Sequence, residues 1–392
     1  MSFFHKKLAR GYQESQKDHE AILARELGPA FSAYRRRFQA AEAGSRPPHP
    51  LHLDLDVATV CQLGCPMCPA SLGAGDNPFP GFGLFMDEEM FLEAIREAKE
   101  LSVPSIRFGL SGEPLLVPDL DLWVAEAGGA GFLDLAVVTN GQLLDRQTSE
   151  KLARAGLTRL MVSVDAACGD TYGRLRPGGD FERLVANIED FLEVRAELGG
   201  PLPILRLSFV QMRGNQAERD QFREKFSPLA DYLAFQDYLD LTGRDESSSM
   251  VGPKGKMSGK SVFRCPDPLT RLAVHADGGL FPCCSDFGRL APVGDLWRDG
   301  LEKAWNSGAA LFLASREGRG SPSCQRCLRA SGLIGSPGKI PDEPRNGPKG
   351  TFPAAAGNPP PLPLAAIMAA PGDNADFPGQ SAWRPANEFS GH

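Results

Sequence analysis

The chain has 392 residues, 42% of them hydrophobic, and a formal net charge of −7 at pH 7. This length allows one large domain and a small one, with enough apolar residues for a core. The negative charge argues against a chain-wide nucleic-acid surface. No apolar run reaches the roughly 20 residues that span a bilayer, and the first residues lack the apolar segment of a secretory signal. We therefore expect a cytoplasmic protein without a nucleic-acid partner or a membrane span.

Residues 1–47 form a first segment that is polar and rich in charge. Leu23, Leu27 and Phe31 recur there at the spacing of a helix. We predict an N-terminal helical segment that packs against the main domain.

Strand and helix patterns alternate between residues 48 and 241. The predicted strands cover 51–57, 105–110, 133–138, 159–164, 204–212 and 232–235. The predicted helices cover 86–101, 119–128, 145–155, 181–198 and 216–226. This alternation predicts an α/β fold with a parallel sheet. In such a fold, functional loops follow the carboxyl ends of the strands.

Cys61, Cys65 and Cys68 lie in one short loop after the first predicted strand. Three thiolates held by such a loop can ligate three irons of a [4Fe-4S] cluster, which leaves the fourth iron open to a ligand. A structural zinc ion needs four ligands, and no histidine or fourth cysteine lies near these three in the sequence. The loop therefore favours a cluster over zinc.

The C-x3-C-x2-C loop after a strand resembles the signature of the radical S-adenosylmethionine (SAM) superfamily. The resemblance implies a partial (β/α)6 TIM-like barrel over 48–241, with SAM bound at the open iron. It implies that Met67 contacts the adenine of SAM. It also implies an external one-electron reductant, such as flavodoxin or ferredoxin.

Ser111, Gly112 and Glu113 follow the second predicted strand. Glycine allows close backbone approach, and a carboxylate accepts hydrogen bonds from an ammonium group. The three residues resemble the Gly-Gly-Glu motif of the superfamily, with serine at the first position. The resemblance implies that they hold the amino group of SAM.

Other polar residues end the later strands. Ser163 and Asp165 are two apart and face the same side of a strand, so both can reach one ligand. They resemble the ribose-binding pair of the superfamily. Asn140 lies where the family lines the SAM site, and Arg213 is a candidate for binding the SAM carboxylate. Asn215 is a candidate helix cap.

The rest of the chain divides by composition into three parts. Residues 242–262 are rich in serine, glycine and lysine and predict a linker. Residues 263–332 carry five cysteines and form a small second domain. Residues 333–392 are dominated by proline and glycine and predict a disordered tail.

Four late cysteines, Cys265, Cys283, Cys324 and Cys327, predict a closed metal site. A hairpin through Asp277-Gly278-Gly279 would bring its flanking cysteines together. Spacing alone leaves a second [4Fe-4S] cluster and a four-cysteine zinc site equally open.

The order of these cysteines resembles the twitch domain, the short relative of the SPASM domain. The resemblance implies one auxiliary [4Fe-4S] cluster, because no cysteine follows Cys327. Cys284 could replace Cys283 as the ligand. Cys284 and Cys168 are also candidates for returning a hydrogen atom to a substrate radical, as a cysteine does in epimerases of the superfamily. The alternative for either residue is a buried, unreactive thiol.

The sequence thus predicts a radical SAM oxidoreductase or epimerase that takes hydrogen from a small polar substrate resembling a sugar or an aminocyclitol. Residues 1–47 are too short for the peptide-binding domain of many peptide maturases. Peptide modification is the alternative within the same chemistry. A non-catalytic metal-binding interaction protein is the alternative from another class.

Overall fold

The computed structural model describes residues 4–8, 11–15, 17–71, 83–238, 267–284, 286, 289 and 291–316. All of them belong to the unit Met1–Pro353, and a second unit, Ala354–His392, lies outside the described residues. The predicted linker over 242–262 and the predicted tail over 333–392 also lie outside the described residues. Both stay predictions.

A β-hairpin that was not predicted precedes the first helix. Strands β1 (Phe4–Leu8) and β2 (Gly11–Ser15) pair antiparallel, and helix α1 (His19–Glu42) follows. The helical segment predicted over 1–47 is thus helical only from His19. Two five-residue strands carry too little pattern to be recognised alone, and they are stable here because β2 adds to a larger sheet.

Six of the parallel strands match the six predicted ones. They are β3 (His52–Leu55), β4 (Ser105–Phe108), β5 (Asp134–Thr139), β6 (Arg159–Ser163), β7 (Ile204–Gln211) and β8 (Tyr232–Asp237). Each pairs in parallel with the next along the chain. The sheet has two free ends and does not close, so the prediction of a partial α/β barrel is confirmed.

The helices that connect these strands match the predicted ones, with one short addition. They are α2 (Glu88–Glu100), α3 (Leu120–Ala130), α4 (Arg146–Arg154), α5 (Gly169–Leu175), α6 (Phe181–Glu197) and α7 (Arg219–Phe226). Helix α5 was not predicted. None of the described helices is long and apolar enough to cross a membrane.

The sheet has an apolar outer face and a polar inner face. Outer residues such as Leu55, Phe108 and Leu160 are fully buried and share one core with α2 to α7. Because side chains alternate along a strand, the residues between them face the other way. The inner face therefore carries polar residues along four strands, including Asp54, Arg107, Arg159 and Arg206.

Helix α1 closes the inner face at the amino ends of the strands. Its Leu23 and Phe31 are buried in a second core with Ile204 and Tyr232 of the inner face. The inner face is consequently covered at that end, and its polar residues lie between α1 and the carboxyl ends of the strands.

The region after residue 266 adds to the same sheet. It contains α8 (Asp267–Thr270), β9 (Arg271–Val274), β10 (Gly279–Phe281), β11 (Gly294–Asp295) and α9 (Leu296–Arg316). Strands β9 and β10 form the predicted hairpin. Strand β9 also pairs in parallel with β3, from His52 with Arg271 to Leu55 with Val274.

The outer core should depend on Phe91, which is 1% exposed and stacks on Trp123 with ring centroids 4.5 Å apart. We expect Phe91→Ala to lower the free energy of unfolding by about 3–5 kcal/mol, because it removes a large side chain from a packed core. Urea denaturation of the purified protein measures this loss. The neighbouring Leu92 is 41% exposed, so Leu92→Ala should change stability by less than about 0.5 kcal/mol. Equal effects of the two variants would contradict the described packing.

Candidate functional site

The cysteine loop after β3 is fixed by backbone hydrogen bonds to its surroundings. The Gly64 amide donates to the Pro177 carbonyl at 2.8 Å, and the Glu113 amide donates to the Val60 carbonyl at 2.8 Å. Within the loop, the Cys68 amide donates to the Cys65 carbonyl at 3.0 Å. These bonds attach the loop to the segment after β4 and to the segment after α5.

Gly112 lies directly against the start of this loop. A Cβ atom at Gly112 would stand 2.3 Å from the Ala58 carbonyl oxygen and 2.5 Å from the Val60 carbonyl oxygen. Both are backbone atoms, so no side-chain movement could relieve the overlap. The close approach inferred from the sequence is therefore present, and the backbone that approaches Gly112 is that of the cysteine loop itself.

Hydrogen-bond donors surround the sulfur of Cys61. The Leu63 amide lies 3.5 Å from Cys61 Sγ, and Asn140 Nδ2 lies 3.6 Å from it. Asn140 also bonds to Gln62, with its Nδ2 3.2 Å from Gln62 Oε1. N–H donors directed at sulfur are suited to thiolate ligands of a cluster, whose charge they stabilise.

The three thiols are shielded from water to different extents: Cys65 is buried, and Cys61 and Cys68 are half-buried. Burial raises the pKa of Cys61 and of Cys65 to about 11 each. Buried thiols of this kind become thiolates only when iron or another cation binds them.

Met67 is half-buried in the same loop. Its contact with adenine stays a prediction.

Glu113 lies under the cysteine loop and joins the ends of two strands. It is 1% exposed. Its Oε1 accepts from the Thr139 hydroxyl at 2.6 Å and from the Leu115 amide at 3.1 Å, and its Oε2 accepts from the Asn140 amide at 2.7 Å. Burial raises the pKa of Glu113 to about 6. The carboxylate thus stays mostly ionised at neutral pH and can accept a further bond from an ammonium group.

Ser111 is held by Asp56, which follows β3. The Ser111 hydroxyl donates to Asp56 Oδ2 at 2.5 Å, and its amide donates to Asp56 Oδ1 at 3.0 Å. His275 Nδ1, from the turn after β9, lies 3.2 Å from the same Oδ2. The hydroxyl and the amide of Ser111 are therefore both bonded to Asp56. Asp56 in turn connects the motif after β4 to the hairpin of the second region.

Ser163 and Asp165 end β6 in different environments. Ser163 is half-buried, and its hydroxyl has no hydrogen-bond partner among the residues that the structure describes. Asp165 is 1% exposed, and its Oδ1 accepts from the Val210 amide at 2.7 Å while its Oδ2 lies 2.5 Å from Arg176 Nη2. Ser163 is thus available to a ligand, whereas the carboxylate of Asp165 already has two protein partners.

The loop after β7 places its two candidates differently. Arg213 is exposed and has no polar contact within the described residues. Asn215 is 1% exposed and does not cap the next helix through its side chain. Its Nδ2 donates instead to the carbonyls of Asp165 and Val210, both at 2.8 Å. Asn215 therefore supports the backbone of the β6 end.

Cys168 lies on the same edge of the sheet, just before α5. It is exposed, and its sulfur lies 3.7 Å from Glu218 Oε1. The role of this thiol as a hydrogen donor stays a prediction.

Two of the auxiliary cysteines fall within the described residues. The sulfurs of Cys283 and Cys284 and a carboxylate oxygen of Asp267 lie within 4.8 Å of one another. A hydrogen bond from Cys283, followed by the charges of Arg107 and Arg271, lowers the pKa of Cys284 to about 6. This is a compact set of potential metal ligands beside two cations. Cys265, Cys324 and Cys327 lie outside the described residues.

Three supporting residues were not identified from the sequence: Gln62, Asp56 and Arg176. Thr139, which donates to Glu113, belongs with Asn140 to the candidate loop at the end of β5. Arg176 had no local signal. Its guanidinium lies beside Asp165 and is close enough to Cys65 to lower the pKa of that thiol, against the larger effect of burial.

Comparison with known families divides the chain in two. Residues 55–198 match the Radical SAM superfamily, and residues 265–328 match the SPASM family, an iron-sulfur cluster-binding domain. The first match contains the cysteine loop, Glu113 and Asp165. The second contains all five late cysteines.

Similar proteins share these regions. A probable GTP 3',8-cyclase of Saccharolobus solfataricus is 30% identical over 226 residues, which cover 54% of this chain and 68% of that protein. The structure of Streptococcus suis SuiB bound to precursor peptide SuiA has a TM-score of 0.52 at 16% identity and covers 76% of this chain and 74% of that one. The structure of native anSMEcpe with bound AdoMet has a TM-score of 0.50 at 15% identity, and the match covers 72% of this chain and 91% of that one. At these identities the two structures show the fold alone.

The contact at Gly112 predicts a specific defect. We expect Gly112→Ala to displace the cysteine loop and to lose at least half of the iron bound per chain, because its Cβ would overlap two backbone oxygens. Iron analysis after anaerobic reconstitution measures this loss. Gly129→Ala in α3 is the matched control, since a Cβ there has nothing within 4 Å, and it should keep the full iron content. Full iron in Gly112→Ala would refute the described approach.

Proposed function

The chain belongs to the radical SAM superfamily, and on that premise we propose that it cleaves SAM reductively to abstract hydrogen from a small polar substrate. The product would be an oxidised or epimerised molecule in a biosynthetic pathway. The cofactors of its two domains are a [4Fe-4S] cluster with SAM and an auxiliary iron-sulfur cluster. The observation that carries the proposal is the network joining the cysteine loop to Glu113 and Asn140 at the ends of three neighbouring strands.

The residues have distinct tasks in this proposal. Cys61, Cys65 and Cys68 would hold the cluster that binds SAM. When cluster and SAM are bound, one-electron reduction of the sulfonium yields methionine and a 5′-deoxyadenosyl radical that takes a hydrogen atom from the substrate. Glu113 would accept a hydrogen bond from the SAM ammonium group, and Ser163 would bond the ribose.

Asp165 would act mainly by fixing the backbone at the end of β6. Its bonds to Arg176 and to the Val210 amide fix the end of β6, where Ser163 presents its hydroxyl. Each carboxylate oxygen can accept more than one hydrogen bond, so Asp165 can also bond a ribose hydroxyl. Arg176 supplies a positive charge near Cys65 that would stabilise the thiolate form of the ligand.

A small substrate is supported by the inner face of the sheet. That face is polar, is closed by α1 at its amino end and leads to the SAM residues at its carboxyl end. The archaeal relative is named for the cyclisation of GTP, also a small molecule. The auxiliary ligands Cys283 and Cys284 lie beside Arg107 of the inner face. They would place the second cluster where it could receive an electron from the substrate or fix its position.

SAM cleavage separates this proposal from a non-catalytic metal-binding protein. We expect the reconstituted, reduced protein to hold about eight irons per chain, as two [4Fe-4S] clusters require, and to form 5′-deoxyadenosine. Cys65→Ala should hold about four irons and form none, because it loses a ligand of the SAM cluster. Chromatographic assay of 5′-deoxyadenosine and metal analysis measure both, with Leu92→Ala as the surface control.

Absence of 5′-deoxyadenosine from the fully loaded wild-type protein would reject the enzymatic function. About four irons with one zinc would reject the auxiliary cluster. Product formed from a peptide and from no small molecule would replace the proposed substrate class by peptide modification.

The role of Glu113 predicts a pH dependence of SAM binding. Its pKa is raised to about 6, so the ionised form that accepts the ammonium bond is lost as the pH falls through 6. We expect SAM affinity to be about fourfold weaker at pH 5.5 than at pH 8, in proportion to the ionised fraction. Anaerobic equilibrium dialysis of SAM against the reconstituted protein measures this change. Glu113→Gln should bind SAM weakly at both pH values, and a wild-type affinity that does not vary would argue against an ionised Glu113 as the acceptor.

A further inference from the structure

Arg206 is an inner-face arginine whose guanidinium has no carboxylate partner among the described residues. Its Nη2 donates to Gln236 Oε1 at 3.0 Å, and its Nη1 lies 3.5 Å from Met161 Sδ. Its Nε is buried and has no hydrogen-bond partner in the described part of the chain. Both of its contacts are with uncharged groups.

The other inner-face arginines differ in this respect. Arg159 lies 2.9 Å from Asp134, and Arg107 and Arg271 lie 2.8 Å and 3.2 Å from oxygens of Asp54. A buried guanidinium is normally retained beside a carboxylate, because removal from water disfavours an uncompensated charge. Arg206 is the exception among these four.

The electrostatic environment of Arg206 favours the binding of an anion. Burial lowers the pKa of Arg206, and the positive charges of Arg107 and Arg159 lower it further. Tyr232 and Asp165 oppose this effect and raise the pKa, but Asp165 is already paired with Arg176 at 2.5 Å. An incoming anion would therefore meet excess positive charge.

Arg206 extends towards the proposed SAM site. It pairs with Tyr232 in the sheet, but its guanidinium bonds to Gln236, which is level with Val210. Val210 is the residue whose amide donates to Asp165. The backbone of Arg206 is two residues below Ser208, the partner of Ser163, or about 6.6 Å along the strand. An anion at Arg206 would thus lie within the length of a small molecule from the ribose-binding position.

We infer that Arg206 binds an anionic group of the substrate, a carboxylate or a phosphate, on the inner face of the sheet. This inference rests on the proposed function, and it narrows the substrate from a small polar molecule to a small acid or phosphate ester. Because α1 closes the amino end of the inner face, the anion would enter first and leave the reacting carbon nearer to SAM. The planar guanidinium of an arginine can form forked hydrogen bonds with either anion.

The test uses the reconstituted protein and three simple probes: inorganic phosphate, acetate and the neutral acetamide. Thermal unfolding is followed anaerobically at constant ionic strength. We expect phosphate or acetate to raise the unfolding midpoint of the wild-type protein by about 3 °C at saturating concentration, and acetamide to leave it unchanged. Whichever anion acts identifies the group. A wild-type protein that responds to neither anion overturns the inference.

Two variants separate binding from support of the fold. Arg206→Gln should abolish the rise, whereas Arg36→Gln, at an exposed position on α1, should keep it. Without anion, Arg206→Gln should unfold at the wild-type midpoint or above, because it removes a half-buried charge that lacks a carboxylate partner in the described part of the chain. A midpoint lower by several degrees, or a rise equal to that of the wild type, would show that Arg206 is structural. Failure of SAM cleavage in the wild-type protein would reject the proposed function. Anion binding at Arg206, measured by the unfolding midpoints, would then be interpreted independently of that function.

Discussion

The buried carboxylate of Glu113 organises the candidate site. Its two oxygens accept from residues after β4 and β5, and its own amide donates to the cysteine loop after β3. Three strand ends are therefore tied together through one residue. The cost of burying that charge appears in its raised pKa, and the three donors that surround it limit the cost. The positions of the proposed cluster ligands and of the proposed SAM-binding residues depend on this one arrangement.

Much of the fold followed from the sequence, because the signals were local. Six strands and five helices have periodic patterns of their own, and the structure contains all of them. The cysteine loop and Glu113 were recognisable because their residue types and spacing carry the chemistry. The hairpin β1–β2 was not, since each strand is five residues long and gains its stability from pairing with β8.

The supporting contacts were beyond prediction for a different reason. Arg176 meets Asp165, and His275 meets Asp56, through pairs far apart in the chain whose meeting is decided by tertiary packing. Asp165 shows the consequence. From the sequence it is one half of a ribose-binding pair, and in the fold it also compensates a buried guanidinium. Arg206 is the converse, since a strand position with ordinary spacing gave no sign that its charge would lack a carboxylate partner among the described residues.

Strand β9 has a consequence for how the protein assembles. It pairs with β3 although the two are about 220 residues apart in the chain. A contact of such long range forms late, after the intervening strands have been laid down. During synthesis the edge of β3 must therefore remain unpaired until the second region leaves the ribosome. The candidate auxiliary ligand Cys283, with its alternative Cys284, follows that strand, so the proposed SAM-cluster loop would be in place before the second metal site can close.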